Sequence, residues 1–267
     1  MNISEIKRRG MVMLGCGKMG SAMLAGWLHG ALSPSEVWVV DPHPSDWLKG
    51  LDGLHLNADL PETPALIVVA VKPQMMDAAL PDIGRFGGGD TVILSVAAGV
   101  TLARYEAVFG AGTPIVRAMP NTPSQVGRGI TALVANAPGQ AALAVSAELM
   151  NAVGQSVMLE DESQMDAVTG VSGSGPAYVF HMIETLAAAG EAQGLSPDLA
   201  MALAKATVGG AGQLAEDSAS DPAQLRKDVT SPNGTTQAGL EVLMAELPDL
   251  MTRTVKAAAD RSRELGA

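Results

Sequence analysis

Short apolar runs alternate with helix-like stretches through residues 1–160. The runs are rich in Val, Ile and Leu and end at glycine, proline or polar residues, a pattern typical of repeated βα units. Because the runs are continuous rather than alternating, they favour a parallel sheet that is covered on both faces. The predicted strands are 11–15, 36–41, 65–71, 91–97 and 114–119, with edge strands at 129–136 and 156–160 and helices at 18–31 and 138–152.

The strand pattern stops after residue 160, and the rest of the chain is rich in alanine and methionine. This half has predicted helices at 163–194, 197–219 and 237–265. Ser196-Pro197-Asp198 and Asp221-Pro222 are typical helix starts, with a capping residue followed by a first-turn proline. The sequence therefore predicts an α/β domain of the doubly wound, Rossmann-like type at 1–160 and an all-α domain at 161–267.

The helical half has few charges and many small apolar residues. The stretch VGGAGQLA (208–215) places three glycines inside a predicted helix, where each glycine costs about 1 kcal/mol relative to alanine. A close approach between helix backbones would compensate for that cost. We therefore expect this half to form a homodimer interface, with a plain intrachain bundle as the alternative.

The composition limits the classes of function that are possible. Hydrophobic residues make up 47% of the 267 residues and charged residues 17%, as in a globular protein. The net charge of −11 argues against binding to nucleic acid or to an anionic membrane surface. The chain has no apolar run of membrane-spanning length and no signal-type segment, so we expect a cytoplasmic protein.

Metal and disulfide chemistry are not expected. A single cysteine, Cys16, excludes an internal disulfide and a cysteine-based zinc cluster. The four histidines show no metal-ligand spacing. Cys16 precedes a predicted helix, where a thiol pKa can fall, but without a partner cysteine it is interpreted as a small residue that fits.

The stretch GCGKMG (15–20) has the G-x-G-x-x-G spacing after a predicted strand and before a predicted helix. Gly15 allows a tight turn, Gly17 lets the backbone approach a pyrophosphate, and Gly20 lets the helix pack closely on the strand. The alternative is a glycine-rich turn that binds nothing. The predicted pyrophosphate-binding residues are Gly15, Cys16, Gly17, Lys18, Met19 and Gly20.

Asp41 ends the second predicted strand, about 20 residues after Gly20, where an acid can accept hydrogen bonds from the ribose hydroxyls of NAD. The alternative is an aspartate that only caps the turn DPHP. No arginine lies within 41–50, and Lys49 is the cation nearest to Asp41 in that segment. From the residues alone, NADH is favoured over NADPH.

Five further stretches have no reason to coexist in an arbitrary Rossmann protein. They are AVKPQ (70–74), SVAAGVTL (95–102), RAMPNTP (117–123), VTGVSGSGPAYVF (168–180) and TSPNGTT (230–236). Together they resemble the Δ1-pyrroline-5-carboxylate reductases, the enzymes of the last step of proline synthesis, from Met11 to about Ala258. The resemblance implies an NADH- or NADPH-dependent reductase whose helical domain interleaves with a partner, and dimers that assemble into a larger ring such as a decamer.

The resemblance also implies positions around the coenzyme and the substrate. Several of these follow predicted strands, where a doubly wound sheet has its ligand crevice. Lys72 is either a catalytic acid or a cationic contact at the rim of the site, and its alternative is a solvated loop lysine. The implied nicotinamide-side residues are Ala70, Val71, Lys72, Pro73, Ala97, Ala98 and Gly99, with Met119 and Asn121 beside the ring and Asn57 near the adenosine.

The loop TSPNGTT precedes a predicted helix, so its last residues have free backbone amides at a helix N-terminus. The hydroxyls of Ser231, Thr235 and Thr236 are additional donors, so a neutral loop is able to hold a carboxylate. Simple helix capping is the alternative and is compatible with binding. The resemblance implies that Ser231, Asn233, Gly234, Thr235 and Thr236 bind the substrate, with Thr236 near the ring nitrogen as a catalytic residue.

Two positions depart from the usual family pattern. Asn233 stands where glycine is common, and asparagine tolerates the left-handed backbone region better than most residues. Asp41 stands where many relatives have a neutral residue and use NADPH. Both the shape of the loop and the choice of coenzyme are therefore expectations for the structure to test.

Three other classes of function fit the sequence less well. A 3-hydroxyacid dehydrogenase needs a base to accept an alcohol proton, and none is evident in the sequence. A dinucleotide-sensing module would leave the polar loop 230–236 without a purpose. A serine hydrolase is suggested briefly by GVSGS (170–174), but Ser174 occupies the last glycine position of the motif and no His/Asp pair accompanies it.

Overall fold

The structure is a computed structural model that describes residues 1–266. Its contacts separate the chain into two compact units. The first unit contains Met1–Gly173 together with the chain from Ala257 onward, and the second contains Ser174–Lys256. The packing boundary therefore follows Gly173, while the functional boundary after residue 160 stays a prediction.

The first unit is built on one eight-stranded sheet with the strand order β3-β2-β1-β4-β5-β6-β7-β8. The first six strands are parallel and have the order of a doubly wound dinucleotide-binding fold. The strands are β1 (Met11–Leu14), β2 (Val37–Val40), β3 (His55–Leu56), β4 (Leu66–Val69), β5 (Val92–Ser95), β6 (Ile115–Met119), β7 (Gly129–Ala135) and β8 (Gly154–Met158).

The edges of the sheet differ in part from the prediction. The strand predicted as an edge at 129–136 is β7, which lies inside the sheet, antiparallel to β6 and parallel to β8. Only β8 forms that edge, as predicted for 156–160. The opposite edge is β3, a two-residue strand that is too short to produce a readable pattern.

Both faces of the central strands are buried. Every residue of β1 and β4 is buried, and successive residues of each strand belong to different apolar clusters. Met11 and Met13 face one cluster, whereas Val12 and Leu14 face the other. This double coverage explains why the runs are continuously apolar and confirms the predicted doubly wound sheet.

Among residues 1–266, seven α-helices complete the first unit, together with the end of α11. The predicted helix at 163–194 is interrupted: α7 passes into a π-helical turn, Thr169–Gly173, before a new helix begins. The glycines of the GVSGSG stretch have no side chain to hold a regular helix at this point. The helices are α1 (Ile3–Arg9), α2 (Lys18–Leu28), α3 (Asp46–Lys49), α4 (Met76–Ile83), α5 (Leu102–Phe109), α6 (Leu143–Asn151) and α7 (Met165–Val168).

The second unit is entirely helical. Its helices are α8 (Gly175–Ala192), α9 (Pro197–Asp217), α10 (Pro222–Asp228) and most of α11 (Thr235–Gly266). The predicted starts at Pro197 and Pro222 are confirmed, and the Asp221 side chain accepts a hydrogen bond from the Gln224 amide at 2.9 Å. Within residues 1–266, no helix combines the length and apolar character needed to cross a membrane.

Candidate active site

The glycine loop joins β1 to α2 at the point where the strand order reverses, between β1 and β4. Gly15 has φ +81°, and a Cβ there would lie 2.7 Å from Val71 Cγ1 at the end of β4. Gly20 is buried, and a Cβ there would lie 3.2 Å from the Gly15 carbonyl oxygen. These two glycines are therefore required by the fold itself.

Gly17 differs from its neighbours because a Cβ at this position would meet no heavy atom within 4 Å. It is exposed, and it is the N-cap residue of α2 without any side-chain cap. The helix therefore presents the first-turn amides of Lys18 and Met19 beside open space, at its positive dipole end. These features fit a dinucleotide pyrophosphate, which is the group that a G-x-G-x-x-G turn accommodates.

Cys16 lies inside this loop as a buried residue. Burial raises the pKa of its thiol to about 11, against a smaller lowering by the side-chain hydrogen bond with Ser21. The thiol is therefore protonated and unreactive at neutral pH. This agrees with the interpretation of Cys16 as a small residue that fits the turn.

Asp41 directly follows β2 and faces the glycine loop. Its Oδ2 accepts a hydrogen bond from the Cys16 amide at 2.8 Å, and its Oδ1 accepts one from the His43 amide at 2.8 Å. The carboxylate is half-buried and has a fixed orientation. Each oxygen keeps further acceptor capacity, so the side chain is still able to accept hydrogen bonds from a ribose.

Asn57 holds Asp41 from the other side. Its carboxamide accepts a hydrogen bond from the Asp41 amide at 2.9 Å and donates one to the Asp41 carbonyl at 2.8 Å. Its φ of +51° is in the left-handed region, which asparagine tolerates. The structure therefore gives Asn57 a positioning role at the end of β2, and contact with the adenosine stays a prediction.

The predicted nicotinamide-side residues after β4 lie in an ordered turn. The Ala70 amide donates to the Leu14 carbonyl at 2.8 Å, which extends the pairing of β4 with β1. Lys72 precedes a short 3₁₀ helix that begins at Pro73, and its side chain is exposed. An exposed lysine at a strand end suits a cationic contact at the rim of the site.

The segment after β5 carries Ala97, Ala98 and Gly99. Ser95 is completely buried, and its hydroxyl bonds to the Tyr105 hydroxyl at 2.5 Å and accepts from the Ala97 amide at 3.2 Å. Burial raises the pKa of Tyr105 to about 12, so its hydroxyl stays protonated across the physiological range. The uncharged Ser95–Tyr105 pair therefore fixes the start of this loop through the Ala97 amide.

An ion pair also supports this loop. Arg117 of β6 is 3% exposed, and its guanidinium contacts Glu162 Oε1 at 2.6 Å. The same carboxylate oxygen accepts from the Leu102 amide at 2.8 Å, at the start of α5. Sequence reasoning missed this pair, although a charged residue within the apolar run PIVRAM is itself a signal, because a buried arginine needs a partner.

Met119 is the last residue of β6, and Asn121 lies two residues later. The Asn121 carboxamide donates to the Ser172 carbonyl at 3.2 Å and accepts from the Ile130 amide at 2.9 Å. A Cβ on Gly173 would lie 2.5 Å from Met119 Cε. Both side chains therefore support the π-helical turn, and a direct contact with the ring stays a prediction.

The predicted substrate loop, described within the second unit, has the expected shape. Asn233 has φ +59°, so asparagine adopts the left-handed conformation that the sequence suggested. The Gly234 amide donates to the Ser231 carbonyl at 3.0 Å, and α11 begins at Thr235. The side chains of Ser231, Thr235 and Thr236 are exposed.

Gln237 is a part of this loop that sequence reasoning missed. Its Oε1 accepts a hydrogen bond from the Asn233 amide at 2.8 Å, and its Nε2 donates to Glu241 at 3.0 Å. A polar residue three positions into a helix, just after a turn, is a recognisable capping signal. The loop is therefore held by its backbone and by Gln237, so the threonine hydroxyls are not needed to maintain its shape.

Known proteins are similar to nearly the whole chain. The family model for pyrroline-5-carboxylate reductase dimerisation matches residues 162–265, and the one for coenzyme F420-dependent NADP oxidoreductases matches residues 11–99. A pyrroline-5-carboxylate reductase of Pseudomonas aeruginosa is 37% identical over 262 residues and 96% of each chain. One from Synechocystis is 40% identical over 261 residues, covering 95% of this chain and 97% of that protein.

Solved structures give the same result. A pyrroline-5-carboxylate reductase from Coxiella burnetii superposes with a TM-score of 0.90 at 32% identity, covering 97% of this chain and 99% of that one. The Plasmodium falciparum pyrroline carboxylate reductase with NADP bound superposes with a TM-score of 0.84 at 26% identity, covering 98% and 99%. The similarity therefore includes both the sheet and the helices.

Proposed function

The chain belongs to the pyrroline-5-carboxylate reductase family, and we propose on this premise that it converts L-1-pyrroline-5-carboxylate to L-proline with NAD(P)H, the last step of proline biosynthesis. The observation that carries the proposal is the open space at Gly17 beside an uncapped helix N-terminus, in a chain similar to these reductases along its whole length. We propose that it acts in the cytoplasm.

The residues of the first unit fit a dinucleotide. The open Gly17 turn and the first amides of α2 would hold the pyrophosphate, and Asp41 would accept from the adenosine ribose. Ala70–Pro73 and Ala97–Gly99 would line the nicotinamide end, with Lys72 at the rim. When bound, the reduced nicotinamide supplies the hydride that the C=N carbon of the substrate receives.

The residues of the loop 230–236 would bind the substrate. The amides and hydroxyls at the start of α11 suit a carboxylate, and we propose that the Thr236 hydroxyl lies near the ring nitrogen. In that position Thr236 would orient the imine and relay a proton from water to its nitrogen. The protein then contributes mainly by positioning the reactants and excluding water.

The proposed functional domains are 1–160 for the coenzyme and 161–267 for the substrate and dimerisation.

The experiment that tests this function is the decay of nicotinamide absorbance with purified protein and pyrroline-5-carboxylate. NADH and NADPH are compared in parallel assays. Substrate-dependent decay with formation of proline supports the proposal. If neither coenzyme is consumed in the presence of the imine, the proposed reaction is wrong.

We further propose that NADH is the preferred coenzyme. The support is the fixed carboxylate of Asp41, which a ribose 2′-phosphate would meet as a like charge. No arginine lies within 41–50 to offset the repulsion, and Lys49 is already paired with Asp46 at 3.0 Å.

Asp41→Asn is expected to shift coenzyme preference toward NADPH. The amide keeps the acceptor for the Cys16 backbone, loses the acceptor for the His43 amide and removes the negative charge. The kcat/KM ratio of NADH to NADPH should therefore fall at least tenfold, or by about 1.4 kcal/mol. Steady-state kinetics with both coenzymes measure the ratio. Asp52→Asn, at an exposed aspartate outside the Lys49–Asp46 pair, is the matched control, and an unchanged ratio in Asp41→Asn contradicts the assignment.

The second unit supports a homodimer as a further proposal. A row of large apolar side chains on its helices is exposed within one chain, including Phe180 at 58% and Val242 at 70%. A Cβ on Gly209, Gly210 or Gly212 would meet nothing within 4 Å in the same chain. These faces suit burial against a second copy, and assembly of dimers into a ring such as a decamer is part of the proposal.

Val242→Glu is expected to weaken that assembly. A carboxylate on an exposed face costs little in a single chain, but it is unpaired if the face is buried between two copies. Light scattering should give the wild type at least twice the mass of one chain, 27.3 kDa, and the variant a lower mass at the same concentration. Val126→Glu, at a valine 75% exposed in the first unit, is the control. A wild-type monomer would rule out the homodimer.

A further inference from the structure

The coenzyme loop, defined here as residues 95–102, is held from several sides. Ser95 holds its beginning through the Ala97 amide, and Glu162 holds its end through the Leu102 amide. Between these anchors lies Gly99, which is buried and has φ +76°. Because both ends of the loop are fixed and glycine restricts its own backbone least, the conformation at Gly99 is set by the residues that pack against it.

The last turns of α11 pack against Gly99. A Cβ built on Gly99 would lie 3.0 Å from Leu265 Cβ and 3.4 Å from the Ser262 carbonyl oxygen. A Cβ built on Gly266 would lie 2.4 Å from the Gly99 carbonyl oxygen. The helix end and the loop are therefore in backbone-to-backbone contact, which is possible only because both residues are glycine.

Ser262 fixes this end of the helix. Its hydroxyl donates to Asp166 Oδ1 of α7 at 2.6 Å, across 96 positions of sequence. Ser262 is 4% exposed, and it and Ala259 are the two buried residues in the 32-residue helix. A short hydrogen bond to a carboxylate, largely removed from water, is among the stronger kinds of side-chain contact.

We propose that Ser262 is a positioning residue for the coenzyme: by bonding to Asp166 it holds the end of α11 on Gly99 and so fixes the loop that lines the nicotinamide. The inference rests on the proposed function, because that function assigns Ala97–Gly99 to the coenzyme. It adds a residue near the end of the chain, outside all the sequence motifs, to the elements that determine coenzyme affinity.

Ser262→Ala is expected to raise the coenzyme Kd and KM roughly tenfold, the loss that one charge-assisted hydrogen bond produces, with kcat changed less than threefold. Isothermal titration of the substrate-free protein with NADH and NADPH measures Kd. Amide hydrogen exchange of residues 97–102 in the coenzyme-free protein should become faster. Glu264→Gln, two residues away on the exposed side of the same helix, is the control and should match the wild type.

The outcomes separate a positioning role from a structural one. A lower melting temperature with unchanged Kd and unchanged exchange in the loop overturns the inference. If Ser262→Ala does not fold, Asp166→Asn tests the inference instead, because the amide keeps an acceptor for the Ser262 hydroxyl without the charge. A coenzyme Kd raised two- to fivefold in this variant supports the inference. A wild-type Kd overturns it. A wild type that binds coenzyme but does not reduce the imine contradicts the proposed function alone. A wild type that binds neither coenzyme overturns both.

Discussion

Thr236→Ala is expected to lower kcat for imine reduction about 10²-fold while leaving the coenzyme Kd unchanged. The hydroxyl is the proposed donor to the ring nitrogen, and removing one well-placed donor or proton relay typically costs two to three orders of magnitude in rate. Coenzyme affinity should survive, because the pyrophosphate and ribose contacts proposed for the first unit do not involve this residue. Single-turnover kinetics and coenzyme titration measure the two quantities separately.

The loop around Thr236 should keep its conformation in this variant, so a change in rate reports on the hydroxyl itself. The loop is held by the left-handed Asn233, by the Gly234-to-Ser231 backbone bond and by the Gln237 side chain, none of which needs the Thr236 hydroxyl. Thr236→Ser should recover most of the rate, since it restores the hydroxyl. Thr252→Ala is the matched control on the same helix, because its hydroxyl donates to the Pro248 carbonyl one turn earlier. Wild-type turnover in Thr236→Ala would remove Thr236 from the mechanism.

The parts of the fold that were predictable depend on local sequence. Strands β1, β4 and β5 were found because a strand buried on both faces is a continuous apolar run, and every residue of these three strands is buried. Strands β2 and β6 were found from their runs of β-branched and apolar residues, although only alternate residues of β2 are buried. The interior position of β7 was missed, because pairing with β6 and β8 is a tertiary property that its own residues do not show. The break at Thr169–Gly173 was also missed, since its glycines can equally be read as helix-packing positions.

Some features of the candidate site were also predictable from local sequence, and others are visible only in the structure. The spacing of Gly15, Gly17 and Gly20 predicts a phosphate turn, but only the structure separates the two glycines that the fold requires from the one beside open space. Asp41 was placed correctly at a strand end, while its bond to the Cys16 amide is a contact that spacing does not reveal. The bond between Ser262 and Asp166 joins positions 96 residues apart, and no local pattern marks either residue.

Because Gly17 lies beside open space while the fold requires Gly15 and Gly20, we expect the second large effect, on coenzyme binding, for Gly17→Val. The Gly17 backbone is extended, with φ −70° and ψ −159°, a region that valine adopts readily. Its side chain would enter the space beside the α2 amides, where the pyrophosphate is proposed to bind. We expect the coenzyme Kd to rise at least 10²-fold, a loss of about 2.7 kcal/mol, while the loss of a glycine N-cap costs about 1 kcal/mol of stability, or roughly 2–4 °C.

Two other glycines make the comparison decisive. Gly30 is also surrounded by open space but lies beyond the far end of α2, so Gly30→Val should change neither Kd nor activity. Gly15→Ala should instead unfold the protein more easily, since its φ of +81° and the nearby Val71 side chain both oppose a Cβ. Coenzyme titration and thermal unfolding of all three variants distinguish a binding glycine from a structural one. If Gly17→Val binds coenzyme as the wild type does, the space beside Gly17 is not the pyrophosphate site, and the proposed function loses the observation that carries it.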